Sequence, residues 1–350
     1  FEMRRAFNIP VRSFAAACDA TKSASDGVVI LSACRTPLGA FSGKLSKISG
    51  PKLGAIAVKE ATARAKINPT DVDEVLLGTV IAAGMGQAPA TQASIGGGLP
   101  NTVPCTSINK VCSSGMKTII MGAQSILTNT NNVVMTGGFE SMSNIPYYLA
   151  KARTGYGYGH GELLDGVLKD GLWDAFDDQH MGSCAEVCAK KYGFTREQQD
   201  DFAIESYRRA NLAIKEGLFK AEMIAMPELD YDERPGSLKL DKVRTLKPAF
   251  QKEGGTVTAA NASSLNDGAA ALVLASGAWA EGRGLKPMAR VIGWGDAQQA
   301  PVWFTTAPAL AVPIALRRAG LEVKDVDYWE INEAFSAVAL ANNHLLKLDP

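Results

Sequence analysis

Histidine is scarce in this chain, with three residues among 350. A zinc site built on imidazole ligands is thereby disfavoured. The six cysteines, Cys18, Cys34, Cys105, Cys112, Cys184 and Cys188, lack the dense spacing of a disulfide-stapled small domain, and only the last two come near a metal-ligand spacing. An excess of either charge is also missing, since 36 Lys and Arg balance 36 Asp and Glu. No global field draws the chain to nucleic acid or to an anionic surface, so neither nucleic acid nor a membrane is expected as a partner, and any bound anion must be met locally. No apolar run reaches the roughly 20 residues that a membrane-spanning helix needs.

What is present is enough length for a large core or for two to three smaller ones. Residues Met3 to Lys22 carry Arg4, Arg5, Arg12 and Lys22 against the single acid Asp19, with Ala and Ser between. That is the composition of an organelle-targeting presequence, and it predicts a mitochondrial location, with the cytoplasm as the alternative. Residues 1–25 are therefore read as a presequence or a disordered tail. From Val28 onward short apolar runs alternate with amphipathic stretches. Val28 to Leu31, Val75 to Leu77, Val133 to Met135 and Leu272 to Leu274 read as buried strands, and Leu53 to Lys66, Ser114 to Leu127, Arg196 to Glu216 and Pro308 to Ala319 as helices. This alternation predicts an α/β architecture with buried sheets.

A shift of 254 positions superposes two segments without a gap. Ala55, Ala57, Val58, Ala61, Arg64, Ala65, Asp71, Val72 and Asp73 recur as Ala309, Ala311, Val312, Ala315, Arg318, Ala319, Asp325, Val326 and Asp327. The chain thus reads as a duplicated α/β unit. The first half is expected over 26–143, with 251–270 returning to it, and the second, incomplete, over 271–350. Between them, 144–250 reads as an inserted loop domain of the kind that caps a site. The counterpart of the Ser114 helix would lie beyond the chain, leaving Ile119, Ile120 and Ile126 expected to be poorly covered.

Chemistry concentrates around Cys112. The run Asn109-Lys110-Val111-Cys112-Ser113-Ser114-Gly115-Met116 leads through a turn into a helix with small residues at Gly115, Gly122 and Ala123. A thiol where a helix begins faces unpaired N–H groups and the positive end of the dipole, which predicts a lowered pKa and a nucleophile. A small buried core cysteine is the alternative on placement alone.

That run resembles the nucleophile motif of the thiolase family, and four further blocks follow the family in order. They are Cys34-Arg35-Thr36-Pro37; Gly137-Gly138 with Glu140-Ser141-Met142-Ser143; Asn261-Ala262-Ser263 with Leu265 to Ala270; and Asn332-Glu333-Ala334-Phe335. The resemblance, to the biosynthetic or mitochondrial acetoacetyl-CoA thiolases, implies a layered αβαβα core of duplicated halves. It also implies an acetyl-CoA C-acetyltransferase that joins two acetyl-CoA into acetoacetyl-CoA and CoA through acetyl-Cys112. Coenzyme A is then substrate and product, no organic cofactor is expected, and a homodimer or homotetramer is. By the same resemblance Asn332 holds a water of one oxyanion hole and the Cys112 N–H belongs to the other. His180 and Met181 border a short acyl pocket, Ser263 lies beside the pantetheine arm, and Lys242, Arg244 and Lys247 approach the nucleotide. Tyr207, Ala259, Ala260 and Ala262 match a potassium site of phenol and carbonyl oxygens. Phe304 matches half of a Phe-Pro pair that shapes a 2-methyl pocket, with Thr305 in place of the Pro.

The resemblance further implies a Gly-His-Pro segment and a second Cys in a Gly-rich turn. Neither occurs in the 350 residues. The chain is accordingly expected to be a C-terminally truncated form, with a catalytically impaired relative that binds CoA or lipid as the alternative. A ketoacyl synthase, which shares Cys-Ser-Ser, is disfavoured because a His would stand near Asn332.

Overall fold

A computed structural model describes residues 27–349 of the chain. The basic N-terminal stretch, and with it the targeting expectation, lies outside the described residues. The framework is one mixed seven-stranded sheet. Strand β1 (Val28–Arg35) is followed by helix α1 (Gly50–Ala65), β2 (Glu74–Gly78), α2 (Pro89–Gly96), β3 (Cys105–Ile108), α3 (Ser114–Leu127) and β4 (Val133–Ser141). After the insertion come β5 (Asn266–Ser276) and β6 (Ala289–Val291). The order across the sheet is β6-β1-β5-β4-β2-β3, with the short strand Gly39–Ala40 also pairing with β5. Strands β2, β3 and β4 run parallel, whereas β5 is antiparallel to both β1 and β4.

The two faces follow from the period of two along each strand. Val75, Leu77, Val133, Met135 and Val273 point to one face and pack with Leu53, Ala57, Val58 and Ala61 of α1. Leu76, Val134 and Leu274 point to the other and pack with Ala123 and Ile126 of α3. Burying one such Leu or Val side chain contributes about 1.5–3 kcal/mol. Ile120 and Ile126 are buried, at 6% and 4% exposure, and Ile119 is partly buried against the same cluster. The expectation that this helix lacks cover is thus corrected, because the sheet itself supplies it.

Leu272 to Leu274 is likewise a strand, but it does not open the second half. As part of β5 it lies between β1 and β4, paired with both from Ala270 to Ala275. The first sheet therefore extends to Ser276, past the division expected at 270.

The insertion carries α4 (Met181–Tyr192) and α5 (Arg196–Glu216), both packed against α7 (Ser336–Leu346) of the second half. Helix α6 (Ala307–Ala319) realises the repeat. Both α1 and α6 end in a left-handed residue, Lys66 and Gly320, and each is followed by a 3-10 turn, Pro69–Asp71 and Val323–Asp325, closed by a capping box. The copies then part. Glu74–Gly78 becomes β2, but its counterpart, Tyr328–Asn332, pairs with no strand among the described residues. One large sheet of the layered core is formed here, and β6 from the second half joins its β1 edge.

Candidate active site

The turn before α3 is locked by its own side chains. Asn109 accepts the Val111 N–H at 2.9 Å, and its amide donates to the Val80 carbonyl at 2.9 Å. Ser114 Oγ accepts the Lys110 N–H at 2.8 Å and donates to the Val111 carbonyl at 2.6 Å, while Ser113 Oγ donates to the Lys110 carbonyl at 2.9 Å. Within this lattice Val111 sits at φ +48, a left-handed conformation rarely adopted by β-branched residues. The strain is local and lies next to Cys112, as at many functional turns. Gly78 makes room for the start of α3, since a Cβ there would fall 2.6 Å from the Ser114 carbonyl carbon. Gly137, at φ +146, does so for the neighbouring strand, where a Cβ would fall 2.1 Å from the Ala270 oxygen.

Cys112 is exposed, whereas Cys34, Cys184 and Cys188 are buried. Burial pushes the thiols of Cys34 and Cys184 up to about 11, which leaves them protonated and inert. The expected depression at Cys112 itself is corrected. Helix α3 begins at Ser114 with Ser113 as N-cap, so Cys112 stands just outside the first turn. Protein atoms crowding its sulfur push the thiol up, and its own N–H only partly offsets this. Lys110 and Lys117 flank the turn, but both bind Asp296, at 2.9 and 2.7 Å, and these bonds hold the Asp296 carboxyl below its usual range.

The family-like blocks converge in space. Buried Asp267 accepts from Ser141 Oγ at 3.1 Å, Ser143 N–H at 3.0 Å and Ser143 Oγ at 2.6 Å. Ser263 N–H bonds the Ala334 carbonyl at 2.9 Å and Ser336 N–H the Asn261 carbonyl at 2.8 Å, placing Ala262 against Phe335. Around this bridge an apolar cluster forms from Ala185, Val257, Phe335 and Val338, with Met181, Phe250, Ala262, Phe304 and Ala334 packed on it. His180 caps α4, its Nδ1 accepting the Gly182 N–H at 2.8 Å, and stacks on Phe250 at 4.6 Å. Burial lowers its pKa, in keeping with an imidazole that must stay neutral to accept that bond.

Other sequence-derived residues stand apart. Asn332 is exposed on the unpaired segment. Among the described residues no hydrogen bond, ion pair or ring contact joins Cys112 to Asn332, His180 or Ser263. Lys242 and Lys247 are exposed. Arg244 is engaged by Asp201 and, at 3.8 Å, by Glu197, both on α5, which weakens it as a phosphate ligand. Tyr207 is partly buried, and that burial raises its phenol pKa. Sequence patterns miss Phe250, the ring behind His180, and Glu186, whose carboxylate takes the Thr256 and Val257 N–H groups at 2.8 Å. Pairings between distant segments leave no periodic signal to read.

Comparison with known proteins gives the same reading. The thiolase N-terminal domain matches residues 28–278 and the thiolase C-terminal domain residues 285–350. Acetyl-CoA acetyltransferase 2 of Arabidopsis thaliana is 52% identical over 333 residues, covering 92% of this chain and 83% of the relative. A Gibberella zeae relative named acetyl-CoA acetyltransferase ERG10, cytosolic, is 50% identical over 332 residues, covering 92% and 84%. Among solved structures, the Acat5 thiolase of Ascaris suum in complex with coenzyme A superposes with a TM-score of 0.90 at 46% identity, covering 92% of this chain and 85% of that one. With both domains matched and half of its residues shared with such relatives, the chain belongs to the thiolase family.

Proposed function

We propose that this chain is an acetyl-CoA C-acetyltransferase that works through acetyl-Cys112. The observation that carries the reading is the placement of Cys112, an exposed residue presented from a turn locked by Asn109 and Ser114 at the head of α3. Relatives about half identical to the chain bear that activity in their names.

In the first half-reaction the Cys112 sulfur bonds to the acetyl carbonyl carbon, the thioester C–S bond breaks, and CoA leaves as the thiol. In the second, Cα of another acetyl-CoA, having lost a proton, bonds to the acetyl carbon on Cys112. The Cys112 thioester C–S bond then breaks, its electron pair goes to the Cys112 sulfur, which takes up a proton in place of the one lost from Cα, and acetoacetyl-CoA is released. Each step passes through an oxyanion. The Cys112 N–H is suited to meet one, since among the described residues no oxygen acceptor takes it and the Val111 carbonyl of the same peptide is already held by Ser114. Asn332, exposed and without a protein partner among the described residues, suits the water-holding role that the resemblance implies. His180 and Met181, backed by Phe250 and Phe304, favour a short acyl group because aromatic and thioether bulk already fills that side. Ser263, Lys242 and Lys247 remain the candidates for the CoA arm and nucleotide.

Tyr207, Ala259, Ala260 and Ala262 are the residues that would hold a potassium ion. Among the described residues no donor takes the carbonyls of Ala259, Ala260 or Ala262, which with the Tyr207 phenol would hold it and brace the Asn261–Ser263 strip. The basic stretch from Met3 to Lys22 favours mitochondrial import, and the family resemblance favours a homodimer or homotetramer.

The test is to incubate the protein with acetyl-CoA and map the acetyl group by mass spectrometry. Acetylation confined to Cys112 and abolished in Cys112→Ala is expected. Acetylation elsewhere that survives this substitution removes Cys112 from the mechanism. Thiolysis of 3-ketohexadecanoyl-CoA as fast as that of acetoacetyl-CoA would refute the short pocket.

A further inference from the structure

Glu140, near the end of β4, is half-buried and distant from Cys112 in sequence, yet hydrogen bonds link it to the turn that carries Cys112. Its Oε2 accepts the Val80 N–H at 2.7 Å, and Oε1 accepts the Ile81 N–H at 3.3 Å and the Thr79 hydroxyl at 3.3 Å. The Val80–Ile81 peptide is thus held by the carboxylate on its N–H side. On its carbonyl side the Val80 oxygen accepts the Asn109 amide at 2.9 Å. Asn109 Oδ1 in turn takes the Val111 N–H at 2.9 Å, at the residue held at φ +48. Carboxylate, peptide, carboxamide and peptide therefore form one chain of four groups. Each hydrogen bond in such a chain polarises the next, and a change at one end is felt at the other. The chain ends one residue before Cys112.

We infer that Glu140 is a positioning residue for the nucleophile: through the Val80–Ile81 peptide and Asn109 it holds Val111 in its left-handed conformation and so fixes the direction of the Cys112 thiol and N–H. The inference rests on Cys112 being the acylated residue. A carboxylate suits the task because it can accept two backbone N–H groups and a hydroxyl together. A neutral amide cannot, since its NH2 would face an N–H. Burial raises the Glu140 pKa while the three donors lower it, so the group is held between competing demands.

The experiment follows the rate of Cys112 acetylation by acetyl-CoA in the full chain, with Glu140→Gln, Asn109→Ala and the double variant, alongside the pH profile of Cys112 alkylation by iodoacetamide. Each single substitution is expected to slow acetylation roughly tenfold and to shift the alkylation profile, and the double variant to match the slower single one, because both cut the same chain. Wild-type rates in Glu140→Gln, or effects that multiply in the double variant, would overturn the inference. Asn109 is exposed. Asn109→Ala therefore keeps the test decisive should Glu140→Gln not fold, and a wild-type rate in it also refutes the chain. If Cys112 is not acetylated in the wild type, it is the proposed function that fails. If it is, and Glu140→Gln matches it, only the positioning role does.

Discussion

Ser114 Oγ donates to the Val111 carbonyl at 2.6 Å across the turn that holds Cys112, and the same oxygen accepts the Lys110 N–H at 2.8 Å. One buried hydroxyl therefore closes the five-residue turn from Lys110 to Ser114. The Val111 carbonyl also takes the Ser114 N–H at 3.0 Å. Because it shares a peptide unit with the Cys112 N–H, that donor is polarised toward whatever lies beyond it.

Ser114→Ala should cost about 1–3 kcal/mol, the usual effect of leaving buried partners unsatisfied, and should slow acetylation of Cys112. Denaturant unfolding gives the first quantity and timed mass spectrometry the second. A variant that is destabilised yet acetylated at the wild-type rate would mean that the hydroxyl only closes the loop.

His180 makes stability depend on pH. Its Nδ1 must be unprotonated to accept the Gly182 N–H, and burial holds its folded pKa below the ordinary 6.5 at which the unfolded chain titrates. Between those two values the unfolded chain binds the additional proton. The contribution is therefore complete above about 6.5 and is lost as pH falls toward the folded value. His180→Asn keeps a capping acceptor without the titration. Its unfolding midpoint should fall less than that of the wild type between neutral and mildly acidic pH, and equal slopes would dismiss the effect.

The legible parts of the fold are those written in local periodicity. The stretches read as helices at Ser114 to Leu127 and Arg196 to Glu216 end where the structure ends them, because a capping box at Thr195 and Gly217 in the left-handed region mark the second one in sequence. The repeat was legible down to its two 3-10 turns, since the Asp-Val-Asp that follows each helix carries the capping acid. Strand partners were not. Nothing in Leu272 to Leu274 says which sheet it joins, and Tyr328 to Asn332 has strand composition without a neighbouring strand among the described residues. At the site, the position of Cys112 was legible as a motif. The lattice around it was not, because Glu140 and Asp296 act on partners chosen by the tertiary fold. Arg244 shows the reverse error: a cation in a basic stretch looks free until Asp201 on another helix claims it.

Asn342 joins α7 to the segment that carries Phe304. Fully buried, it accepts the Ala309 N–H at 3.0 Å and donates to the Thr305 and Val338 carbonyls at 2.9 and 2.7 Å. Asn342→Ala should destabilise by about 2–4 kcal/mol through orphaned backbone groups. Substrate preference should relax at the same time, because Phe304 loses its anchor. A thermal midpoint within error of the wild type would show that the segment is held by packing alone.

Gly78 and Gly115 form a matched pair on either side of the same contact. A Cβ on Gly78 meets the Ser114 carbonyl carbon at 2.6 Å and the Gly115 nitrogen at 2.7 Å, both backbone atoms that cannot rotate away. A Cβ on Gly115 finds its nearest neighbour, the Gly137 oxygen, at 3.8 Å, an ordinary contact. Gly78→Ala must push the start of α3 off the end of β2, at a cost of about 1–3 kcal/mol. With α3 moves the turn that carries Cys112, so acetylation should fall further than stability alone accounts for. Gly115→Ala adds the same methyl to a helix, where Ala is favoured over Gly by up to about 1 kcal/mol, and should leave stability equal or higher. Unfolding curves and acetylation rates for the two variants, taken together, separate the explanations. If both lose acetylation equally, then bulk near the thiol matters rather than the seating of α3 on β2. If neither does, the close approach of Gly78 to Ser114 has no part in setting the nucleophile.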